Sequence, residues 1–250
     1  MHAFTFKLRQ SCRIELLKAA WKTSVEKLDI LRTSFHFSAE VGRWAQVVHS
    51  SLDFKWTTEK RKSIEDGARD FIRSLHFDAE DALHRPPVYL RHISSDEEYL
   101  VVVLHHALYD GISLPMLFGY VKAVYKGDPP LTTQFHTLSR RITSLEAYAT
   151  NYWETRLNGV HPWTFPREVS STADAWRASK VITLTKTTID RFCRRYGVSA
   201  QSIAQASWAK VLAIFSKRLD VVYGQVVSGR TMTGSDKIIG PVFVSARFTY

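Results

Sequence analysis

The chain has 250 residues, 45% apolar and 12% aromatic, enough to bury a substantial core in one large domain or two modest ones, which excludes a disordered chain. Its longest strongly apolar run, Tyr99–Leu104, is of strand length rather than the roughly 18 residues of a membrane span, and MHAFTFKLRQ lacks the apolar core of a secretory signal, so a soluble cytoplasmic protein is expected. Cys12 and Cys193 lie far apart outside any CxxC pattern, which excludes a disulfide framework or a cysteine-rich metal site, and the net charge of +10 favours acidic partners.

Residues 3–8 alternate apolar and polar as a half-buried strand does, and Leu16, Leu17, Ala20, Trp21, Val25 and Leu28 then form one face of a helix. LRTSFHF at 31–37 and WAQVVH at 44–49, parted by the turn-like SAEVGR, predict a hairpin. A helix is expected over 63–76, with Ser63 as N-cap and Glu65 and Asp66 at the positive end of its dipole. PVYLRHI at 87–93, SSDEE and YLVVVLHH at 99–106 predict a second hairpin whose second strand is apolar on both faces and therefore central.

Helical patterns resume over 113–126 and 139–157. Periodicity lapses between Asn158 and Ala175, where HPWTFP and SSTADA mark a linker. Beyond it are expected a strand at 179–185, helices near 187–195 and 199–217, the strand VVYGQVVSG and a terminal strand FVSARFTY. The whole reads as α/β with a mixed sheet. Trp21 belongs to the core, and the basic groups Lys60–Lys62 and Arg191–Arg195 read as solvated faces, without a zinc-finger or RNA-recognition signature.

The stretch that carries chemistry is His105-His106-Ala107-Leu108-Tyr109-Asp110-Gly111, at the end of a buried strand and before a helix opening near Ser113-Leu114-Pro115. A general base must be partly neutral near pH 7, and histidine meets that requirement without tuning. Adjacent strand residues point to opposite faces, so one histidine of the pair enters a given cleft. Asp110 orients it or braces the loop, and Gly111 supplies backbone freedom at a tight reversal. No HExxH or third ligand points to a metal.

HHALYDG matches the HHxxxDG signature of condensation domains in nonribosomal peptide synthetases, and ISLPMLF resembles the continuation in fungal members. Leu31-Arg32-Thr33-Ser34-Phe35 resembles the family's LRTxF block, the run from Val222 to Arg230 its GxxxSGR block, and Ile238-Ile239-Gly240-Pro241 its IGP block. The resemblance implies a V-shaped pair of chloramphenicol-acetyltransferase-like subdomains, residues 1–160 and an incomplete 176–250, joined by a linker at 161–175, with the reaction between them. The implied reaction is amide or ester formation between an acyl or peptidyl thioester on one carrier protein and an acceptor on another. In that resemblance His106 accepts the nucleophile's proton or positions the amine, His105 points into the fold, Asp110 and Gly111 shape the loop, and Arg230 is the ionic partner of Asp110. No cofactor is bound by the domain itself, since substrates arrive on carrier phosphopantetheine. Partners are carrier proteins and neighbouring synthetase domains, not nucleic acid or membrane, and the fungal resemblance extends to siderophore assembly.

The sequence departs from the pattern in two ways. Val242-Phe243-Val244-Ser245 stands where Asn-Thr usually follows Gly-Pro, and the family's opening block before HAFTF and the later part of its second subdomain are missing. Two other readings fit the same residues: a catalytically silent carrier-binding module, and a free-standing HxxxD acyltransferase using acyl-CoA, which predicts a DFGWG-like block that this sequence lacks.

Overall fold

The computed structural model describes residues 1–40, 42–61, 63–75, 84–159, 183, 185–218 and 221–249, the last six by backbone alone. The described chain forms two compact units. The first comprises Met1–Ala147 with Ser228–Val244, the second Tyr148–Val227 with Ser245–Tyr250. The expected linker at 161–175 lies outside the described residues, as does the strand expected at 179–185 except for Thr183 and Thr185. The units part at Ala147 rather than near 160, and the chain returns to the first unit after Val227, a return that composition does not signal.

In the first unit, β1 (His2–Lys7), β4 (Trp56–Lys60), β5 (Val88–Ser94) and β6 (Glu98–Leu104) make one mixed sheet in the order β1-β6-β5-β4. β6 runs antiparallel to both neighbours, and β4 lies parallel to β5. The continuous apolar run of β6 reflects its central place. Leu100, Val102 and Leu104 face the main core, while Val101 and Val103 join Phe71 and Ile93 on the other side. Helix α1 (Ile14–Lys27) brings Ala20, Trp21 and Val25 to the main core, and α2 (Ile64–Ser74) brings Phe71 to the opposite face. Ser63 caps α2 by accepting a 3.3 Å hydrogen bond from the Asp66 N–H.

The hairpin of β2 (Thr33–Ser38) and β3 (Arg43–Val48) forms as expected. Helix α3 (Ser113–Lys126) packs Leu117, Tyr120 and Val121 into the core and ends at Gly127, whose φ of 84° is left-handed. The single helix expected over 139–157 is two, α4 (Phe135–Ser144) and α5 (Glu146–Arg156), parted at Leu145. α4 begins where Asp29 accepts from the backbone N–H groups of Phe135 at 2.9 Å and His136 at 2.7 Å. This buried carboxylate, drawn from a distant turn, satisfies donors that the helix leaves open.

In the second unit, α6 (Lys186–Tyr196) ends at Gly197, φ 63°, and α7 (Ala200–Ser216) is capped by Ser199. Ala209 and Leu212 pack with Val221 into a small cluster. β7 (Val222–Ser228) pairs with β8 (Phe243–Thr249) as a two-stranded sheet. Among the described residues no helix is long and apolar enough to cross a membrane.

Candidate active site at the end of the central strand

The candidate site begins where β6 stops. His105 is the last residue to pair with the neighbouring edge, its N–H donating to the Pro87 carbonyl at 3.2 Å, and the chain then tightens into a 3-10 turn over His106–Leu108. Leu108 and Tyr109 are buried, which pins the turn to the core while the His106 side chain stays at the surface.

The two histidines are used differently. His105 is half-buried, and its Nδ1 accepts the Ala107 N–H at 3.1 Å, a bond that exists only with Nδ1 unprotonated. Burial, reinforced by nearby positive charge, pulls the His105 pKa below its ordinary value. His106 Nδ1 lies 2.9 Å from the Tyr109 carbonyl oxygen. That oxygen only accepts, so Nδ1 carries a proton and donates it to Tyr109. The ring is exposed and Nε2 has no hydrogen-bond partner among the described residues. The ring is thus tethered through Nδ1 and open at Nε2.

Asp110, four residues on, is the opposite case. Its Oδ1 accepts from the N–H groups of Ser113 at 2.6 Å and Ile112 at 3.0 Å, and its Oδ2 from the Val242 N–H at 2.8 Å. One Arg230 terminal nitrogen reaches both oxygens at 3.2 Å, with both side chains largely buried. Burial alone would raise the Asp110 pKa, but the hydrogen bonds from Ser113 and Val242 and the Arg230 charge outweigh it and hold the carboxyl below its usual range. Its accepting capacity is thus spent on three backbone N–H groups and the Arg230 guanidinium. Asp110 does not orient His106, whose Nδ1 is held by Tyr109.

Arg230 ties the returning segment to this loop. Besides Asp110, it donates to the carbonyls of Ser235 at 2.8 Å, Ile238 at 3.0 Å and Gly240 at 3.1 Å. Gly240 has φ 155°, and a Cβ there would collide with the Phe135 ring. Glycine is thus required where the backbone passes Phe135, the first residue of α4. Gly111 corrects the sequence expectation: its φ is not left-handed and a Cβ would meet no atom within 4 Å, so the reversal does not need its backbone freedom. The turn is closed instead by Asp110 and by Ser113, whose hydroxyl accepts the Asp110 N–H at 2.8 Å.

The structure thus gathers His105, His106, Asp110, Gly111 and Arg230 into the first unit. Sequence reasoning missed two neighbours. The Tyr109 ring stacks on His106 with centroids 4.8 Å apart and planes 16° from parallel, and its hydroxyl is hydrogen bonded to His2 Nδ1. Tyr109 stands inside HHALYDG at a position that the HHxxxDG signature leaves open. For His2 no sequence signal exists, since only the pairing of β1 with β6 brings it there. Among the described residues no group of three or more histidine, cysteine or carboxylate side chains is placed to hold a metal ion.

Residues 1–246 match the family model described as Condensation domain. The chain is 33% identical over 252 residues to nonribosomal peptide synthetase NPS2 of Ceriporiopsis subvermispora, an alignment that covers 97% of the chain and 10% of that protein. It is 32% identical over 248 residues to a ferrichrome siderophore peptide synthetase of Mycosarcoma maydis, covering 97% of the chain and 6% of the relative. Among solved structures, the condensation domain from the monacolin K polyketide synthase MokA superposes with a TM-score of 0.69 at 17% identity, over 99% of this chain and 61% of that one.

Proposed function

Because the chain belongs to the condensation-domain family, we propose that it works within a nonribosomal peptide synthetase, joining an acyl or peptidyl thioester on one carrier to the amine, or in some cases the hydroxyl, of an acceptor on another. The observation that carries this reading is the tethered His106 ring, with its proton committed to Tyr109 and Nε2 open. As the acceptor nitrogen attacks the thioester carbonyl, Nε2 takes its proton. The carbon–sulfur bond then breaks, and His106 returns the proton to the departing phosphopantetheine thiolate. No covalent enzyme intermediate and no bound cofactor enter the scheme. His105 keeps the turn in shape, and Asp110 with Arg230 fixes the loop that presents His106.

The chain spans about 10% of the NPS2 protein, and the partners in this reading are carrier proteins and neighbouring synthetase domains. The ferrichrome relative supports a place in siderophore peptide assembly. The reading keeps two acetyltransferase-like subdomains, with the returning segment packed on the first. Testing it takes two carriers, one loaded with a labelled acyl group and one with an aminoacyl group, and acyl-CoA as the competing donor. Label moving to the acceptor carrier is the expected result. Carrier binding without transfer would establish a silent module, and transfer from acyl-CoA alone would establish the free-standing acyltransferase.

A further inference from the structure

We propose that Tyr109 and His2 form a positioning pair for His106, a role that rests on His106 being the base. An exposed imidazole held by one hydrogen bond keeps rotational freedom that a reaction needing near-attack geometry cannot use. Tyr109 supplies that one bond and adds a second restraint. Its carbonyl receives the Nδ1 proton at 2.9 Å, which sets the tautomer, and its ring lies against the imidazole with centroids 4.8 Å apart, which sets the plane.

Tyr109 is held from the other side by β1. His2 and Phe4 are alternate residues of this strand and so share a face. Phe4 meets the Tyr109 ring edge-on at 5.8 Å, and His2 Nδ1 takes the hydroxyl. Burial raises the Tyr109 pKa, so the phenol stays protonated and donates. The register makes this placement automatic: His2 stands opposite Leu104, at the end of β6, with its ring centroid 5.3 Å from that of His106. The β1 strand therefore reaches the candidate base through one tyrosine, and the tyrosine inside HHALYDG has a use that a spacer lacks.

The test compares Tyr109→Phe, His2→Leu, their double variant and Tyr109→Leu with the unmutated protein, using carrier-to-carrier transfer to separate kcat from KM. In parallel, long-range proton–nitrogen NMR on histidine-labelled protein reads the His106 tautomer and its exchange broadening. Losing the shared hydrogen bond is expected to lower kcat about 3- to 10-fold in each single variant, with KM unchanged. The double variant should be no slower than the slower single one, since both act through one bond. Tyr109→Leu, which also loses the stack, should be slower still, and His106 signals should broaden in parallel. Unchanged kcat and unchanged His106 signals in Tyr109→Phe and His2→Leu would overturn the proposal, as would multiplicative losses in the double variant. Full transfer by His106→Ala would instead overturn the assignment of the base, leaving the NMR to judge the packing.

Discussion

Within one motif, the region around His106 and the region around Asp110 are built on opposite principles. His106 is exposed, has one tether and keeps a nitrogen open, whereas Asp110 is buried and spends both oxygens on three backbone N–H groups and a guanidinium. A group that moves protons needs a vacancy in its hydrogen bonding, and a group that holds a loop needs none. The four-residue spacing therefore says little about shared chemistry. It says that one turn separates a presented side chain from the anchor that lets it be presented.

The largest expected effect comes from emptying the anchor. Asp110→Ala leaves Arg230 buried and uncompensated, and Arg230→Ala leaves the carboxylate so, each at about 3–5 kcal/mol in urea unfolding. The double variant should cost less than the sum, because both singles break the same pair. Single variants within about 0.5 kcal/mol of the parent would erase the contrast between the two regions.

The two glycines near the anchor sharpen the comparison. Gly240→Ala meets the Phe135 ring from a left-handed backbone and is expected to destabilise by about 1–3 kcal/mol. Gly111→Ala meets open space, so its unfolding free energy should change by less than about 1 kcal/mol, tending upward through the unfolded chain. Equal losses at both positions would show that the loop is more constrained than its packing implies.

Acid should loosen the same region in a defined order. Burial holds the folded pKa of His105 below its ordinary value of 6.5, so the unfolded chain binds its proton first, and this contribution is present above pH 6.5 and lost as pH falls through the folded value. Asp110 follows, its contribution present above the unfolded value of 3.8 and lost as pH drops through the depressed folded value. Thermal melts over this range should show stability declining from the first step, and His105→Gln should remove that step while leaving the Asp110 step. A flat profile between pH 7 and 5 in the unmutated protein would contradict the role given to His105.

How much was legible in the sequence follows from where the physical cause of each element lies. β6 declared itself because burial on both faces writes an unbroken apolar run, and α2 because Ser63 caps it locally. β4 was not foreseen, since a polar edge strand such as WTTEK carries no alternation strong enough to distinguish it from a loop, and it exists through parallel pairing with β5. The start of α4 was placed four residues late for a similar reason: its N-terminal donors are satisfied by Asp29, 106 residues from Phe135. At the site, the choice of His106 over His105 and the pairing of Asp110 with Arg230 rested on the resemblance, while the stack of Tyr109 and its link to His2 depend on strand register, which no local pattern encodes.

The most direct measurement pairs His106→Ala with Asp110→Ala, recording carrier-to-carrier transfer and the unfolding free energy for both. Removing a general base should cut transfer about 10²- to 10⁴-fold in His106→Ala while its unfolding free energy stays at the parent value. Asp110→Ala should lose stability first and transfer only as the loop loosens. Undiminished transfer by a stably folded His106→Ala would contradict the claim that the exposed histidine does the chemistry and the buried aspartate the architecture.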